Sequence, residues 1–368
     1  MKFTAQRETL LEAVLKLQRI VGAKTSMPVL EGILISAEQG KLTLIAYNLE
    51  MGMKKELYAN CNENGDIVIN ARILADILRR LNGIEVEIES DDRLMCHIRS
   101  GEAVFDIMGM SANDYPEIPS VAEGKKIEID GDILSDMVKG TIFAVAQVEG
   151  TRPILTGINV SIKDGVMQFV AIDGYRLAIR RQKVDIKEDA DFVLSGRAIS
   201  EAIKLIEEDD KNVEITVGNR LISFNIAGYT FISRLLEGEF VNFEKIIPTE
   251  HKQSANINSH DIINTVERVS LLISDTFSTP VRCIFSEDKL VLSSATSMGR
   301  ATENFEINLV GEPFEIGLNS RYLLEALKAC DQGNINFKFN GSNAGVTLTS
   351  SDENNKDFLY LIMPMRLK

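Results

Sequence analysis

The chain repeats itself, and an internal repeat constrains a fold before any single element does. The phrase PVLEGILIS, Pro28 to Ser36, returns as PILTGINVS, Pro153 to Ser161, and more faintly as PVRCIFS, Pro280 to Ser286. Each copy leads into an alternating run: KLTLIAYNL from Lys41, GVMQFVAIDGYRL from Gly165 and KLVLSSATS from Lys289. Alternation of this kind marks paired strands. A second signature is sharper. DIVINARILADIL at Asp66, DFVLSGRAISEAI at Asp191 and PFEIGLNSRYLLEAL at Pro313 each read as strand, short polar turn, arginine and amphipathic helix. Arg72, Arg197 and Arg321 hold the same place, 125 and 124 residues apart, so the period is one third of the 368 residues.

Each third also opens on a strand that feeds a helix: MKFTAQRETLLEAVLKLQRIV, KIEIDGDILSDMVKGTIFAV from Lys126 and SANINSHDIINTVERVSLLI from Ser254. Apolar spacing of three and four predicts one buried face through Leu10, Leu11, Val14, Leu17 and Val21. Every third is therefore expected to run strand, helix, three strands, strand, helix, three strands, a doubled half-repeat. Helices are expected over 6–21, 72–82, 132–146, 197–206, 259–273 and 320–330. Polar stretches at Ser120–Lys125 and Thr249–Gln253 follow phrases that close at Pro119 and Pro248, and they set domains of 1–123, 124–250 and 251–368. Two helices and antiparallel sheets per third make the class α+β, in three similar domains.

Familiar reaction chemistry has no signature here. Cys61, Cys96, Cys283 and Cys330 stand in unrelated contexts and read as buried structural thiols. His97, His251 and His260 are equally scattered, so neither a metal set nor a nucleophile dyad is expected. Phosphate-binding and dinucleotide glycine motifs are missing, and no cofactor is called for. No apolar run approaches the ~20 residues of a membrane span, and MKFTAQRETL has no secretory core, so a cytoplasmic address is expected.

The net charge of −14 argues against binding nucleic acid through the outer surface. The six predicted helices, however, carry twelve Lys or Arg against nine Asp or Glu, an excess of +3 that leaves −17 elsewhere. If the helices face one way, a mildly positive concave surface sits on a negative body, which suits sliding along phosphates.

At DGYRLA (Asp173–Ala178), MPMRL (Met363–Leu367) and the opening MKFT, the chain resembles the bacterial DNA polymerase III beta subunit family, the replicative sliding clamps, over its whole length. The resemblance implies three clamp domains per subunit, helices lining the inside with sheets outside, and a head-to-tail homodimer closed as a ring on duplex DNA. It implies a non-catalytic processivity factor without sequence preference on DNA, near the nucleoid and away from membranes. Its implied partners are the replicative polymerase alpha subunit, the clamp loader complex, and other replication and repair proteins carrying a clamp-binding motif.

The same resemblance assigns residues. A peptide pocket falls on Leu155, Ile172, Gly174, Tyr175, Arg176, Leu177, Val241, Lys245, Ile246, Val346, Leu361, Ile362, Met363, Pro364, Met365 and Arg366. DNA contacts fall on Lys24, Arg72, Arg79, Arg80, Gln147, Arg152, Arg197 and Lys204. The subunit interface falls on EAVFDIM, with Phe105 and Ile107, and on ATENFEINL, with Glu303 and Phe305, backed by Leu272 and Ile273. Two departures stand out. Some members carry a tyrosine pair where this chain reads Arg152, Pro153 and Ile154, and others a proline and an arginine where it has Val241 and Lys245.

Two rival readings compete. A hydrolase using Asp173 beside Arg176 would need a converging acid, base or metal ligand, and IDGYRLAIRR offers none. A repeat adaptor that never encircles DNA would have no reason to place an arginine at each second helix.

Overall fold

The computed structural model describes every residue except 23–24, 148–151, 275–278, 332, 353–356 and 368. The first third runs β1 (Lys2–Gln6), α1 (Arg7–Gln18), β2 (Gly32–Glu38), β3 (Lys41–Tyr47), β4 (Met51–Tyr58), β5 (Asn60–Glu63), β6 (Gly65–Asn70), α2 (Ala71–Arg80), β7 (Glu85–Ser90), β8 (Met95–Ser100) and β9 (Ala103–Met108). The second runs β10 (Lys125–Asp130), α3 (Gly131–Lys139), β11 (Gly157–Lys163), β12 (Val166–Ile172), β13 (Arg176–Lys183), β14 (Ala190–Ser195), α4 (Gly196–Ile203), β15 (Asn212–Val217), β16 (Leu221–Ile226) and β17 (Tyr229–Arg234). The last runs β18 (Gln253–Asn258), α5 (Ser259–Val269), β19 (Val281–Phe285), β20 (Lys289–Thr296), β21 (Gly299–Glu306), β22 (Leu309–Val310), β23 (Phe314–Leu318), α6 (Ser320–Ala329), β24 (Asn334–Phe339), β25 (Val346–Ser350) and β26 (Phe358–Ile362). The expected order holds in each third, with the short β5 and β22 added.

Four of the helices, α2, α3, α5 and α6, start where an Asx side chain caps them. The carboxamide oxygens of Asn70, Asn258 and Asn319 accept from the backbone N–H groups of Arg72 and Ile73, His260 and Asp261, and Arg321 and Tyr322; Asp130 accepts from Asp132 N–H. Arg72, Arg197 and Arg321 all sit at the second residue of their helices and are exposed. The ends differ from expectation. α3 stops at Lys139 because Gly140 follows and the Thr141 hydroxyl donates back to the Met137 carbonyl; only a 3-10 turn at Ile142–Ala144 continues. α5 likewise stops at Val269 and tightens into a 3-10 turn at Ser270–Leu272. In α1 the buried positions are Leu10, Ala13, Val14 and Leu17, with Ile20 beyond the helix, while Leu11 and Val21 are half-exposed. The shorter helices exclude Arg19 and Lys204, so they carry ten cations against nine acids and the excess is +1 rather than +3.

The chain forms two compact units, Met1–Asp132 with Arg197–Leu235, and Ile133–Gly196 with Leu236–Lys368. In the first unit a five-stranded antiparallel sheet has the order β5-β1-β7-β8-β9, and an eight-stranded sheet has β10-β15-β16-β17-β4-β3-β2-β6. In the second, a nine-stranded sheet has the order β14-β11-β12-β13-β26-β25-β24-β18-β22, and a four-stranded sheet has β21-β20-β19-β23. Each large sheet is two half-repeats sewn together, at β4 with β17 and at β13 with β26; each piece has four strands except the last, which β22 extends to five. Alternating burial along the strands follows from the two-residue period, as in β8 and β24. Phe285, Phe314, Phe337 and Phe339 pack ring on ring in the second unit, with centroids of Phe285 and Phe339 4.7 Å apart.

The thiols are not all buried. Cys96 and Cys283 are, and burial pushes their pKa values up to about 11 and about 12. Cys61 is half-exposed on the short β5, and Cys330 is also half-exposed, although burial of its sulfur raises its pKa.

Two outcomes follow. Phe285→Ala should lower stability by about 3–5 kcal/mol, read as a shift in the denaturant midpoint at unchanged slope; an unshifted midpoint would contradict the aromatic packing. Mass-mapped alkylation near pH 8 should label Cys61 in the native protein and reach Cys96 and Cys283 only on unfolding.

Candidate functional site

The DGYRLA phrase builds the best-formed site. The Asp173 carboxylate accepts from the backbone N–H groups of Tyr175 and Arg176, at 2.9 and 3.0 Å, and Gly174 takes φ +90 at the apex of the turn. That left-handed backbone favours glycine. The strand leaving the turn, β13, then sends alternate side chains to opposite faces.

On one face Leu177 and Ile179 join Val170, Ile172 and Leu361 in a buried apolar cluster. Leu155, Phe240, Phe243, Ile247 and Leu359 pack against it and remain partly open. Tyr175, Ile246 and Met363 are exposed at 63%, 40% and 39%. Val241, Pro364 and Met365 are half-buried, and Lys245 and Arg366 are exposed.

On the other face the Arg176 guanidinium donates to Asp173 at 3.0 Å and to Glu325 of α6, and lies 4.2 Å over the Tyr322 ring. Arg176 is only 7% exposed. The register places Ile362 opposite Arg176, and Val346 opposite Ile362, so these three share that face and point away from Leu177 and Leu361. Alternation thus divides the expected pocket residues on these strands between two faces, Ile172, Leu177 and Leu361 on one and Arg176, Val346 and Ile362 on the other. Arg176 and Tyr175 border a cavity of about 440 Å³ there, lined also by Phe143, Arg321, Tyr322 and Glu325. Arg321 donates to Glu325 at 2.9 Å, and that carboxylate raises the pKa of the guanidinium.

The C-terminal phrase ties the two sheets of this unit. Met363 N–H donates to the Tyr175 carbonyl and Met365 N–H to the Gly317 carbonyl, each at 2.8 Å. Gly317 is required there, since a Cβ would stand 2.7 Å from the Met365 oxygen.

The expected DNA-contacting residues are dispersed over both units. Arg72, Arg79 and Arg80 lie on α2, Arg197 opens α4, and Lys204 stands just past its end; all five are exposed. Arg79 and Arg80 approach Asp76, and Lys204 donates to Glu201 at 2.6 Å. Arg72 and Arg197 have no ion pair among the described residues. Gln147 and Arg152 are exposed on either side of 148–151, and Lys24 lies outside the described residues.

The expected interface residues fall on two sheet edges. β9 ends the five-stranded sheet of the first unit, with Phe105 exposed and Ile107 half-buried; β21 ends the four-stranded sheet of the second, with Glu303 and Phe305 half-buried. The Glu303 carboxylate accepts from Arg268 Nε at 2.9 Å, which holds the Glu303 pKa below its usual range. Leu272 and Ile273 are half-buried beside the more exposed Leu271.

Several neighbours escaped the sequence reading. Phe240, Phe243 and Ile247 are spaced three and four apart, a helical-turn signal that marks one face of that segment. Val104, Met108 and Leu271 are exposed apolar groups beside the named edges, and local pattern alone could not distinguish them from core. Among the described residues no group of three or more His, Cys, Asp or Glu could hold a metal ion, and no helix is long and apolar enough to cross a membrane.

Comparison with known proteins agrees with the architecture. Residues 1–119, 128–242 and 244–366 match the N-terminal, central and C-terminal domain models of the DNA polymerase III beta subunit. The beta sliding clamp of Bacillus subtilis is 29% identical over 380 residues and that of Halalkalibacterium halodurans 30% over 383, with 100% of both chains covered in each case. The crystal structure of the Bacillus subtilis DNA polymerase sliding clamp superposes with a TM-score of 0.94 at 28% identity, again over 100% of each chain. A Pseudomonas aeruginosa sliding clamp solved with bound griselimycin gives 0.90 at 26%, over 100% of each chain. With three consecutive domain models spanning nearly its whole length and whole-chain relatives at this identity, the chain belongs to the DNA polymerase III beta subunit family.

Proposed function

We propose that the protein is a DNA sliding clamp: two copies join head to tail into a ring around duplex DNA, tether the polymerase for processive synthesis, and act without catalysis of their own. Its domains divide near residues 123 and 250. The observation that carries the reading is an unfinished pattern of strand joints. β4 is closed by β17 and β13 by β26, but the third member of each set, β21 and β9, ends its sheet unpaired among the described residues. An open edge with exposed Val104, Phe105 and Met108 invites pairing, and a heterologous contact that rotates shut makes a closed ring.

Encirclement explains how a chain of net charge −14 with nearly neutral helices holds DNA. Retention comes from topology, so few phosphate contacts are needed, and the acidic remainder repels DNA elsewhere. Arg72 and Arg197, exposed at helix starts, are assigned to the phosphates, with Arg79, Arg80, Lys204, Gln147 and Arg152 around them.

The apolar cluster around Leu177 and Leu361, together with the exposed Ile246 and Met363, is assigned to short extended peptides with leucine or phenylalanine anchors, carried by the polymerase alpha subunit, the clamp loader and other replication and repair proteins. Lys245 and Arg366 give its rim positive charge. Burying such anchors, offset by ordering the peptide, gives micromolar affinity, about −8 kcal/mol.

Three measurements test the assignment. Sedimentation of Phe105→Asp should give monomers of 40.9 kDa, whereas a micromolar dimer would place the interface elsewhere. Arg72→Ala with Arg197→Ala should flatten the salt slope of DNA binding by about two, equally for all base sequences; dependence on base sequence would contradict sliding. Ile246→Asp with Met363→Asp should weaken a fluorescent clamp-binding peptide at least about tenfold, or 1.4 kcal/mol, with dimerisation unchanged. Equal binding to both proteins would move the pocket.

A further inference from the structure

The three helices that open on the repeated arginine each carry an acid four residues later: Asp76 after Arg72, Glu201 after Arg197 and Glu325 after Arg321. That spacing sets the two side chains side by side on a helix surface. Among the described residues only the third pair forms. In α2 the Asp76 carboxylate accepts from Arg79 at 3.1 Å and lies near Arg80, and Glu201 of α4 accepts from Lys204 at 2.6 Å. The cation at the same place in α6 is Lys328, and it is drawn instead to Glu267 of α5, at 2.6 Å. The Glu325 carboxylate is thereby left for Arg321, which donates to it at 2.9 Å.

The second oxygen of Glu325 accepts from Arg176, the first residue of β13. Arg176 carries the contact onward. Its Nε donates to Asp173, whose other oxygen accepts from the backbone N–H groups of Tyr175 and Arg176. The turn so fixed borders the peptide site twice: Leu177, next after Arg176, belongs to the apolar cluster, and the Tyr175 carbonyl accepts from Met363 N–H. The first joint has no such chain. Met51 opens β4 in the place of Arg176, and one oxygen of Glu201 is buried without a partner. The relay therefore belongs to the joint that carries the apolar site.

We propose that Arg321 and Glu325 are positioning residues of the peptide pocket, and that Arg321, unlike Arg72 and Arg197, makes no phosphate contact. The inference rests on the sliding-clamp reading above and gives one of the three repeated arginines a different task. Charge-assisted hydrogen bonds in series fix direction as well as distance. Glu325 cannot turn to solvent without releasing both arginines, and Arg176, 7% exposed, then keeps Asp173 alone. A released Arg321 stands at the second residue of its helix, as Arg72 and Arg197 do, within a position open to phosphate.

Full-length variants separate the two roles. Glu325→Gln should weaken the fluorescent clamp-binding peptide about fivefold and steepen the salt slope of duplex DNA binding by about 0.9, as Arg321 is released to a phosphate. Arg321→Gln alone should leave the slope where it is. Glu325→Gln with Arg321→Gln should return the slope to that of the unsubstituted protein while the loss of peptide binding remains. Native peptide affinity in Glu325→Gln would overturn the positioning role. A flatter slope in Arg321→Gln would put that arginine on phosphates and overturn its assignment, and a steeper slope that persists in the double variant would trace the change to the lost carboxylate and overturn it equally. Arg321 is exposed, so its single variant stays readable even where Glu325→Gln lowers stability. Unsubstituted protein that binds no such peptide would instead overturn the pocket reading beneath the inference.

Discussion

The strand-to-strand joint between half-repeats is the constraint on which the rest of the structure depends. Five residue pairs link β4 to β17 and five link β13 to β26, and each link turns two smaller pieces into one continuous sheet. Main-chain hydrogen bonding sets the spacing, and side chains reinforce it locally. Lys55 Nζ donates to the Ala227 carbonyl at 2.8 Å and sits 4.1 Å over the Tyr229 ring; burial, with Lys16 nearby, lowers its pKa. At the other joint Arg180 is 7% exposed and reaches both Asp136 and Asp331 at 2.8 Å, so one buried guanidinium holds the end of α6 and a residue of α3. Losing both carboxylates would leave the guanidinium buried without compensation, which costs more than the pairing itself contributes. This is why the compact units cut across the sequence repeat: a joint binds the second half of one third to the first half of the third before it more firmly than sequence adjacency does.

The same logic orders the charges. A DNA-binding surface that relied on phosphate contacts would need a large positive excess, and the helices carry +1 with most of their cations already engaged by carboxylates. Such a surface grips weakly. For a ring weak grip is an advantage, because closure supplies retention and loosely held phosphates exchange as the protein moves. Helix capping by Asn70 and Asn319 fixes the first turn, so Arg72 and Arg321 leave the helix at a defined point.

Much of this was legible in the sequence because it is local or periodic. The order of elements, the six half-repeats and the place of Arg72, Arg197 and Arg321 follow from phrases that recur. What was hidden depends on contacts distant in sequence. Nothing near β4 announces that its neighbour is β17, 178 residues from strand start to strand start. The pocket assignment put Ile362 and Val346 beside Leu361, yet alternation turns them to the other face, and only the pairing register tells which face is which. Helix ends were overdrawn where apolar spacing continues into 3-10 turns at Ile142–Ala144 and Ser270–Leu272. Cys61 departs from the expected burial because its strand, β5, is a short addition outside the repeat.

Amide hydrogen exchange on the intact protein at micromolar concentration tests the central claim most directly, that the chain is built to have its last joint completed by a second copy. Protection reports whether edge amides are hydrogen-bonded. The account predicts that amides of Val104–Ile107 and Arg300–Glu303 exchange as slowly as those of Gly52–Lys55 and Thr230–Ser233, and that dilution below the dimer dissociation constant releases the first two segments only. Fast exchange of β9 and β21 at every concentration, with β4 and β17 protected, would contradict it.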